Sequence, residues 1–383
     1  MRVVLYHPWV YLRSGVERMI VELLARSRHE WIVATHHFDA DATYPELATA
    51  DVRVLHPEIS VRRAAGPLSQ AALTIARTDL GRLGADALLV SSEGLGDLVL
   101  TRTRLPAVAY CHTPLKIIHD PVARARLAEL DRVKWLVSGA LAPAFTAVDR
   151  RLWRRYRHVL VNSEEVRRRV QRAGLRPSGP VEVLHPGVDL DRFRLAAGDG
   201  PRRGLLVAGR IMWQKEVELA IDAYRRVVAT VPDPEELVIA GAVDVKSEPY
   251  LATLRERARG LPVRFEVGPD DARLVDLLQH TRALVFTAPN EDFGMTVLEA
   301  MACGTPVLAV DAGGPRETVT STTGWLVTAD PDAFAEQMRA VLAAPGPNVW
   351  AHATRARASE FGWDRFVTRV DDVLDTVTGN TPR

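Results

Sequence analysis

Lysine is scarce in this chain: of 49 basic residues only Lys116, Lys134, Lys215 and Lys246 are lysines, and the rest are arginines. The skew fits a GC-rich genome better than a chemical need, and it makes a lysine inside a motif less of a chance event. Cysteine is scarcer still. Cys111 and Cys303 stand far apart, which suggests no disulfide framework and fits a reducing compartment. The net charge of +1 gives no whole-chain attraction to nucleic acid or membrane. No apolar run reaches the ~18–20 residues that a bilayer span needs. The stretch Met1-Arg-Val-Val-Leu-Tyr6 reads as a first strand without the apolar segment of a signal peptide, so a cytoplasmic location is expected.

What remains is ordinary globular material, 47% hydrophobic and 25% charged, and 383 residues suit two domains better than one core. Strand-like runs recur at Val3–Tyr6, Trp31–Thr35, Val52–Leu55, Ala87–Ser91, Ala107–Tyr110, Val159–Asn162 and Val181–Leu184. The rhythm restarts at Leu205–Ala208, Leu237–Ala240, Val263–Val267, Ala283–Thr287, Val307–Val310 and Trp325–Val327. Helical periodicity fills the gaps; Val16, Met19, Ile20, Leu23 and Leu24 mark one buried stripe. The pattern predicts an α/β chain of two doubly wound, Rossmann-like domains facing across a cleft, with ligands beyond the carboxyl ends of the strands. The polar run Ala196 to Gly204 sets the expected boundary, giving domains 1–195 and 196–362 and a closing segment 363–383.

The most informative stretch is Ala288-Pro-Asn-Glu-Asp-Phe-Gly-Met-Thr-Val-Leu-Glu299, which joins a strand to a helix. Glu291 and Glu299 have seven residues between them, including Gly294 and a helix start. Unpaired amides and the positive dipole end at such a start attract phosphate, while carboxylates suit sugar hydroxyls. A capping box, Thr296-x-x-Glu299, would explain Glu299 but neither Glu291 nor the glycine.

A second motif, Gly209-Arg-Ile-Met-Trp-Gln-Lys215, follows the first strand of the second domain. Gly209 permits a tight turn, Arg210 can fork onto two phosphate oxygens, and Lys215 adds a point charge; the alternative is a solvated loop. In the first domain, His112 in Tyr-Cys-His-Thr-Pro leaves a strand end, able to bind a sugar hydroxyl or to serve only structure. Ser14-Gly15-Val16 opens the first helix, where Gly15 offers close backbone approach or mere helix entry.

Together these residues resemble glycosyltransferase family 4, the large retaining family with the GT-B fold. The likeness is strongest across Leu205 to Val327 and weaker over nearly the whole chain. It implies that Arg210 and Lys215 neutralise the leaving diphosphate and that Glu291 binds donor-sugar hydroxyls. It further implies that Phe293, Gly294, Met295 and Thr296 hold sugar and phosphate through backbone amides, and that Glu299 takes the ribose diol. His112 would lie beside the donor sugar, and Ser14, Gly15 and Val16 near the diphosphate and acceptor. The last helix, Trp363 to Thr378, would cross back to the first domain. Relatives often carry Gly-Gly where Ser14-Gly15 stands and Lys-Gly where Lys215-Glu216 stands. The segment YCHTP is similar to a subset that uses GDP-mannose, although LKIIHD diverges from it.

The resemblance therefore implies front-face transfer from a nucleotide-diphosphate sugar, GDP-mannose or a UDP-sugar, to a saccharide, lipid-linked or natural-product hydroxyl. No cofactor and no metal are expected. Asp39-x-Asp41, Asp189-x-Asp191 and Asp330-x-Asp332 have a metal-binding spacing, but none adjoins the phosphate clamp. His36-His37 lacks a third ligand. Gly94-Leu-Gly-Asp is a partial dinucleotide fingerprint without its third glycine. The basic stretch Arg124 to Arg176 reads as solvated helix faces or as a peripheral contact with an anionic membrane. Two other functions compete: a nucleotide-sugar epimerase or hydrolase on the same fold, and a non-catalytic sugar-nucleotide-binding protein.

Overall fold

The computed structural model describes residues 1–61, 65–198, 200–244, 246–344 and 348–380. The chain divides into two compact units, Met1–Pro186 with Asp364–Arg383, and Gly187–Trp363. Among the described residues, the first unit holds β1 (Arg2–Tyr6), β2 (Glu30–Thr35), β3 (Val52–Val54), β4 (Ala87–Ser92), β5 (Ala107–Cys111), β6 (Tyr156–Val161) and β7 (Val181–Val183). They pair in parallel in the order β3-β2-β1-β4-β5-β6-β7. The second unit holds β8 (Leu205–Ala208), β9 (Leu237–Gly241), β10 (Val263–Val267), β11 (Ala283–Phe286), β12 (Val307–Val310) and β13 (Gly324–Val327). These are also parallel, in the order β10-β9-β8-β11-β12-β13.

Strand β4 shows why the sheets form. All six residues of Ala-Leu-Leu-Val-Ser-Ser are buried, as a central parallel strand with helices on both faces requires. In each sheet the strand order reverses direction once, between β1 and β4 and between β8 and β11. Loops leaving the two strands at such a point go opposite ways and leave a crevice at their carboxyl ends.

Two expectations are corrected. The boundary falls at Pro186/Gly187 rather than at 195/196. Residues 187–193 belong to the second unit rather than the first, because Val188 and Phe193 sit in its core. The Val188 N–H donates to Phe361 O at 2.9 Å, and a Cβ at Gly187 would lie 2.5 Å from the Trp363 nitrogen. Strand β6 starts at Tyr156, earlier than Val159, since the polar-looking Tyr-Arg-His hides a buried Tyr156 and a mostly buried His158. The helix Trp363–Thr378 packs within the first unit from Asp364 onward. Arg28 pairs there with Asp372 at 2.8 Å and Asp375 at 2.5 Å, Ser27 Oγ donates to Asp371 at 2.6 Å, and the Phe366 ring meets Tyr110 edge-on at 5.1 Å.

The glycine-rich segment after β4 is no dinucleotide loop. Gly94 takes φ +100° and leads into a 3-10 helix, Leu95–Thr101. Asp97 turns inward, accepting from Trp153 Nε1 at 3.1 Å and from the Tyr156 hydroxyl at 2.5 Å. Burial, aided by the nearby Asp149 charge, pushes the Asp97 carboxyl up to about 7, against the hydrogen bonds that lower it. The folded state therefore holds a proton that the unfolded chain has released above about pH 4. This site's contribution to stability is full below that pH and is lost as pH rises towards 7. Relative to the parent, Asp97→Asn is expected to gain at least about 1 kcal/mol in stability between pH 5 and 8, measured by denaturant melts. A difference between the two proteins that stays constant across that range refutes the buried-acid assignment.

One further backbone feature bears on stability. Glu216, between the 3-10 turn Trp213–Lys215 and the helix Val217–Val228, sits at φ 47°, ψ 47° in the left-handed region. A side chain there costs roughly 1–2 kcal/mol, of which glycine recovers part after its unfolded-chain entropy. Glu216→Gly is expected to raise stability by on the order of 0.5–1 kcal/mol, seen as a higher melting midpoint. A lower midpoint would show that contacts of the Glu216 side chain outweigh the strain.

Candidate active site

In the second unit, the candidate site lies at the carboxyl ends of β8 and β11. After β8 the chain turns at Gly209, at φ +131°, and Gly209 N–H donates to Ala240 O at 3.1 Å. Close approach is enforced from β9: a Cβ at Gly241 would lie 1.7 Å from the Gly209 carbonyl oxygen. Arg210 follows, exposed, and forms no ion pair among the described residues. Lys215 ends the 3-10 turn. Its carbonyl accepts from Thr287 Oγ1 at 2.8 Å, which ties the turn to the end of β11. A crevice there is lined by Gly209, Arg210, Lys215, Phe286, Thr287 and Ala288.

Lys215 Nζ stands 2.5 Å from Glu291 Oε2 and 5.4 Å from the centroid of the Phe286 ring. Residues 76 apart in sequence thus meet as an ion pair, with side chains 26% and 16% exposed. The pair is part-buried, and its weight for the site lies in where it puts charge. The Glu291 loop is held from beneath by the turn after β12. A Cβ at Gly313 would lie 2.5 Å from Glu291 O, and one at Gly314 2.3 Å from Phe293 Cα. Gly314 N–H donates to Glu291 O at 3.2 Å.

The helix after this loop spans Met295–Ala302, with Gly294 as its N-cap at φ 94° and no side-chain cap. Thr296 is therefore the second helical residue and Glu299 the fifth, so the two do not form a capping box. Thr296 Oγ1 abuts Gly209, 3.8 Å from where its Cβ would be. Phe293 is a core residue: its ring is buried and lies 6.1 Å from that of Phe361, which anchors the loop. Met295 is half-buried against the same core.

In the first unit, the sequence-derived candidates occupy two separate strand ends. Ser14 caps the helix Gly15–Arg26: its Oγ accepts from Val16 N–H at 3.2 Å and donates to Glu17. Ser14 thus caps the helix start and its hydroxyl also holds Glu17, with Gly15 exposed at the first helical position. His112 follows β5, its Nε2 3.0 Å from Ser91 Oγ and its ring 5.0 Å from that of Tyr110. Burial lowers its pKa to about 4, with the Glu93 charge opposing and His7 assisting. No hydrogen bond joins Ser14, Gly15 or Val16 to His112 among the described residues.

Sequence reading missed His7 and Ser91. His7 Nδ1 lies 3.0 Å from Ser91 O, so His7, Ser91 and His112 form one polar chain at the ends of β1, β4 and β5. The signal was available: His7 directly follows β1 and Ser91 lies near the end of β4, the strands flanking the reversal.

The three Asp-x-Asp spacings share a local cause. The leading carboxylate accepts backbone N–H groups two and three residues on: Asp39 from Asp41 and Ala42, Asp189 from Asp191 and Arg192, Asp330 from Asp332 and Ala333. Such turns and caps recur because the Asp side chain mimics a backbone acceptor. Both ring nitrogens of His36 are engaged, with Pro57 O at 3.1 Å and Thr78 Oγ1 at 3.0 Å. Among the described residues no group of three His, Cys, Asp or Glu could hold a metal ion.

Comparison with known proteins agrees with this architecture. Residues 13–192 match glycosyltransferase family 4, and residues 191–361 match glycosyl transferases group 1. A D-inositol 3-phosphate glycosyltransferase of Streptomyces avermitilis is 34% identical over 215 residues, covering 51% of this chain and 46% of that protein. D-inositol 3-phosphate glycosyltransferase 2 of Catenulispora acidiphila is 29% identical over 313 residues, covering 74% and 68%. The chain thus spans about half to two thirds of these curated relatives. Anabaena HepE, solved in complex with UDP and glucose, superposes with a TM-score of 0.74 at 18% identity, covering 98% of this chain and 100% of HepE. A sucrose-phosphate synthase from Thermosynechococcus elongatus gives 0.74 at 18%, covering 100% of both. These two likenesses bear on the fold, which is GT-B. With the two matches together covering residues 13–361, the chain belongs to glycosyltransferase family 4.

Proposed function

We propose that this protein is a retaining glycosyltransferase that moves a sugar from a nucleotide-diphosphate sugar to a hydroxyl of a saccharide, lipid-linked or natural-product acceptor. The observation that carries the proposal is the meeting of Arg210, Lys215, Glu291 and the uncapped helix start at Gly294–Thr296 around one pair of strand ends. Two cations and a helix mouth suit a diphosphate. A carboxylate already in contact with the lysine suits the sugar hydroxyls next to it.

In the reaction, the bond from the anomeric carbon to the β-phosphate oxygen breaks, and a bond to the acceptor oxygen forms on the same face. The acceptor's proton passes to the departing phosphate oxygen. Arg210 and Lys215 stabilise the charge that develops on that phosphate, which makes electrostatics the main catalytic term. A diphosphate competes with Glu291 for Lys215, freeing the carboxylate to accept from the sugar. Glu299 takes the ribose diol, and backbone amides from Phe293 to Thr296 hold phosphate and sugar. His112, held neutral by burial, offers a hydrogen bond rather than a charge to the donor sugar. Ser14-Gly15-Val16 lines the acceptor side.

Two lines of support point to different donors: HepE was solved with UDP and glucose, whereas YCHTP is similar to a GDP-mannose-using subset. The relatives' name adds an inositol phosphate to the acceptors worth assaying. No metal is assigned a role.

A screen of UDP- and GDP-sugars by nucleotide release, with and without acceptors, identifies the active pair. With that pair, Lys215→Ala is expected to lower kcat/KM by at least about a hundredfold while the melting midpoint stays within a few degrees. Addition of EDTA is expected to leave the parent rate unchanged. Near-parental turnover by Lys215→Ala contradicts the proposal, and donor breakdown equally fast without acceptor favours a hydrolase or epimerase instead.

A further inference from the structure

We propose that the helix Arg132–Trp153 docks this protein on an anionic lipid surface through its solvent-facing side. The inference starts from an anomaly in patterning. Between Lys134 and Asp149 the helix carries no charged residue over 14 positions, Trp135 to Val148, yet one whole side of it faces solvent. Val133, Leu136, Val137, Leu141 and Val148 are 71%, 57%, 41%, 54% and 46% exposed. Ala140, Ala144 and Ala147 fill the spaces between them. Surface helices of soluble proteins put charge on that side, and a contiguous apolar stripe marks an interaction site.

The C-terminal end of the helix is anchored in the first unit, with Asp149, Leu152 and Trp153 buried. Trp153 is fully buried with its Nε1 on Asp97, and His119 Nε2 lies 2.9 Å from Asp149 Oδ2. The stripe is therefore carried on a helix anchored at its C-terminal end. Among the described residues no helix is long and apolar enough to cross a membrane. The uncharged run spans roughly 21 Å at 1.5 Å per residue, short of the ~30 Å hydrocarbon core. Its geometry suits lying in the interface.

Charge selects the occupant. Arg132 and Lys134 flank the start of the stripe, with Lys134 sharing its charge with Asp131 at 2.9 Å. Arg150, Arg151 and Arg154 line an open groove with Ala147 at its other end. Arg151 and Arg154 form no ion pair among the described residues. Farther along the basic stretch the charges are spent: Arg167 pairs with Glu164, and Arg168, Arg169 and Arg172 converge on Glu165. Basic residues thus remain available where the apolar stripe ends. A second copy packed on this stripe would oppose basic end to basic end in either direction, which argues against self-association. Lipid phosphates at headgroup depth, with acyl chains beneath the leucines and valines, satisfy both the charge and the apolar surface.

The test is flotation of the full chain with vesicles of phosphatidylcholine alone or mixed equally with phosphatidylglycerol. The parent is expected to float with the mixed vesicles at low salt, at least about tenfold more than with phosphatidylcholine alone, and to be released by high salt. The exposed double variant Leu136→Glu, Leu141→Glu is expected to lose that binding with an unchanged melting midpoint, and Arg151→Gln, Arg154→Gln to weaken it several-fold. Unaltered flotation of the leucine variant overturns the proposal, as does a parent that stays with no vesicle. Light scattering that shows a parental dimer converted to monomer by the leucine variant overturns it in favour of self-association.

Discussion

The ion pair between Lys215 and Glu291 is the contact through which the rest of the second unit can be understood. It joins loops that leave β8 and β11, the two strands at which the sheet reverses direction, and it exists only because backbones approach closely around it. Gly241 lets β9 lie against the Gly209 carbonyl, and Gly313 and Gly314 let the turn after β12 lie under Glu291 and Phe293. Each of these approaches leaves no room for a Cβ. The glycines therefore fix the loops, the loops fix the charges, and the charges define the chemistry. Phe293, buried with Phe361 behind the loop, resists any shift of Glu291 towards solvent.

The first unit reaches a comparable end by other means. Its strand ends carry imidazoles and a serine rather than guanidinium and ammonium, and burial keeps His112 uncharged. A neutral ring offers a directed hydrogen bond without adding charge. The proposed membrane-docked helix follows β5 and the short segment after His112, so the same stretch of chain that carries this imidazole would meet the lipid. A lipid-linked acceptor fits that arrangement without being required by it.

Much of this was legible in the amino-acid order, and the reasons are physical. Parallel strands buried on both faces are continuous apolar runs, so Leu205–Ala208 and Val307–Val310 could be placed to the residue, and the edge strand Val263–Val267 was found from its alternation of apolar and charged residues. Where polar groups were buried instead, reading failed: Tyr156 hides behind arginines, and no spacing shows that Asp97 turns inward onto Trp153 and Tyr156. The boundary was misplaced because the polar run Ala196 to Gly204 looks like the break, whereas Val188 and Phe193, ahead of that run, are already core residues of the second unit. In the site, Lys215 and Glu291 were singled out separately, but their contact at 2.5 Å depends on tertiary packing that no spacing encodes. The Thr296-x-x-Glu299 pattern shows the converse, a local motif that the observed helix start at Met295 does not use.

On the proposed function, Lys215 reads the second phosphate of a nucleotide. Calorimetric titration of nucleoside mono- and diphosphates into the parent and into Lys215→Ala tests it most directly, because binding is measured without acceptor or turnover. The β-phosphate is expected to add at least about tenfold in affinity, roughly 1.4 kcal/mol, to the parent, and this gain to shrink to twofold or less in the variant. A gain of equal size in both proteins contradicts it.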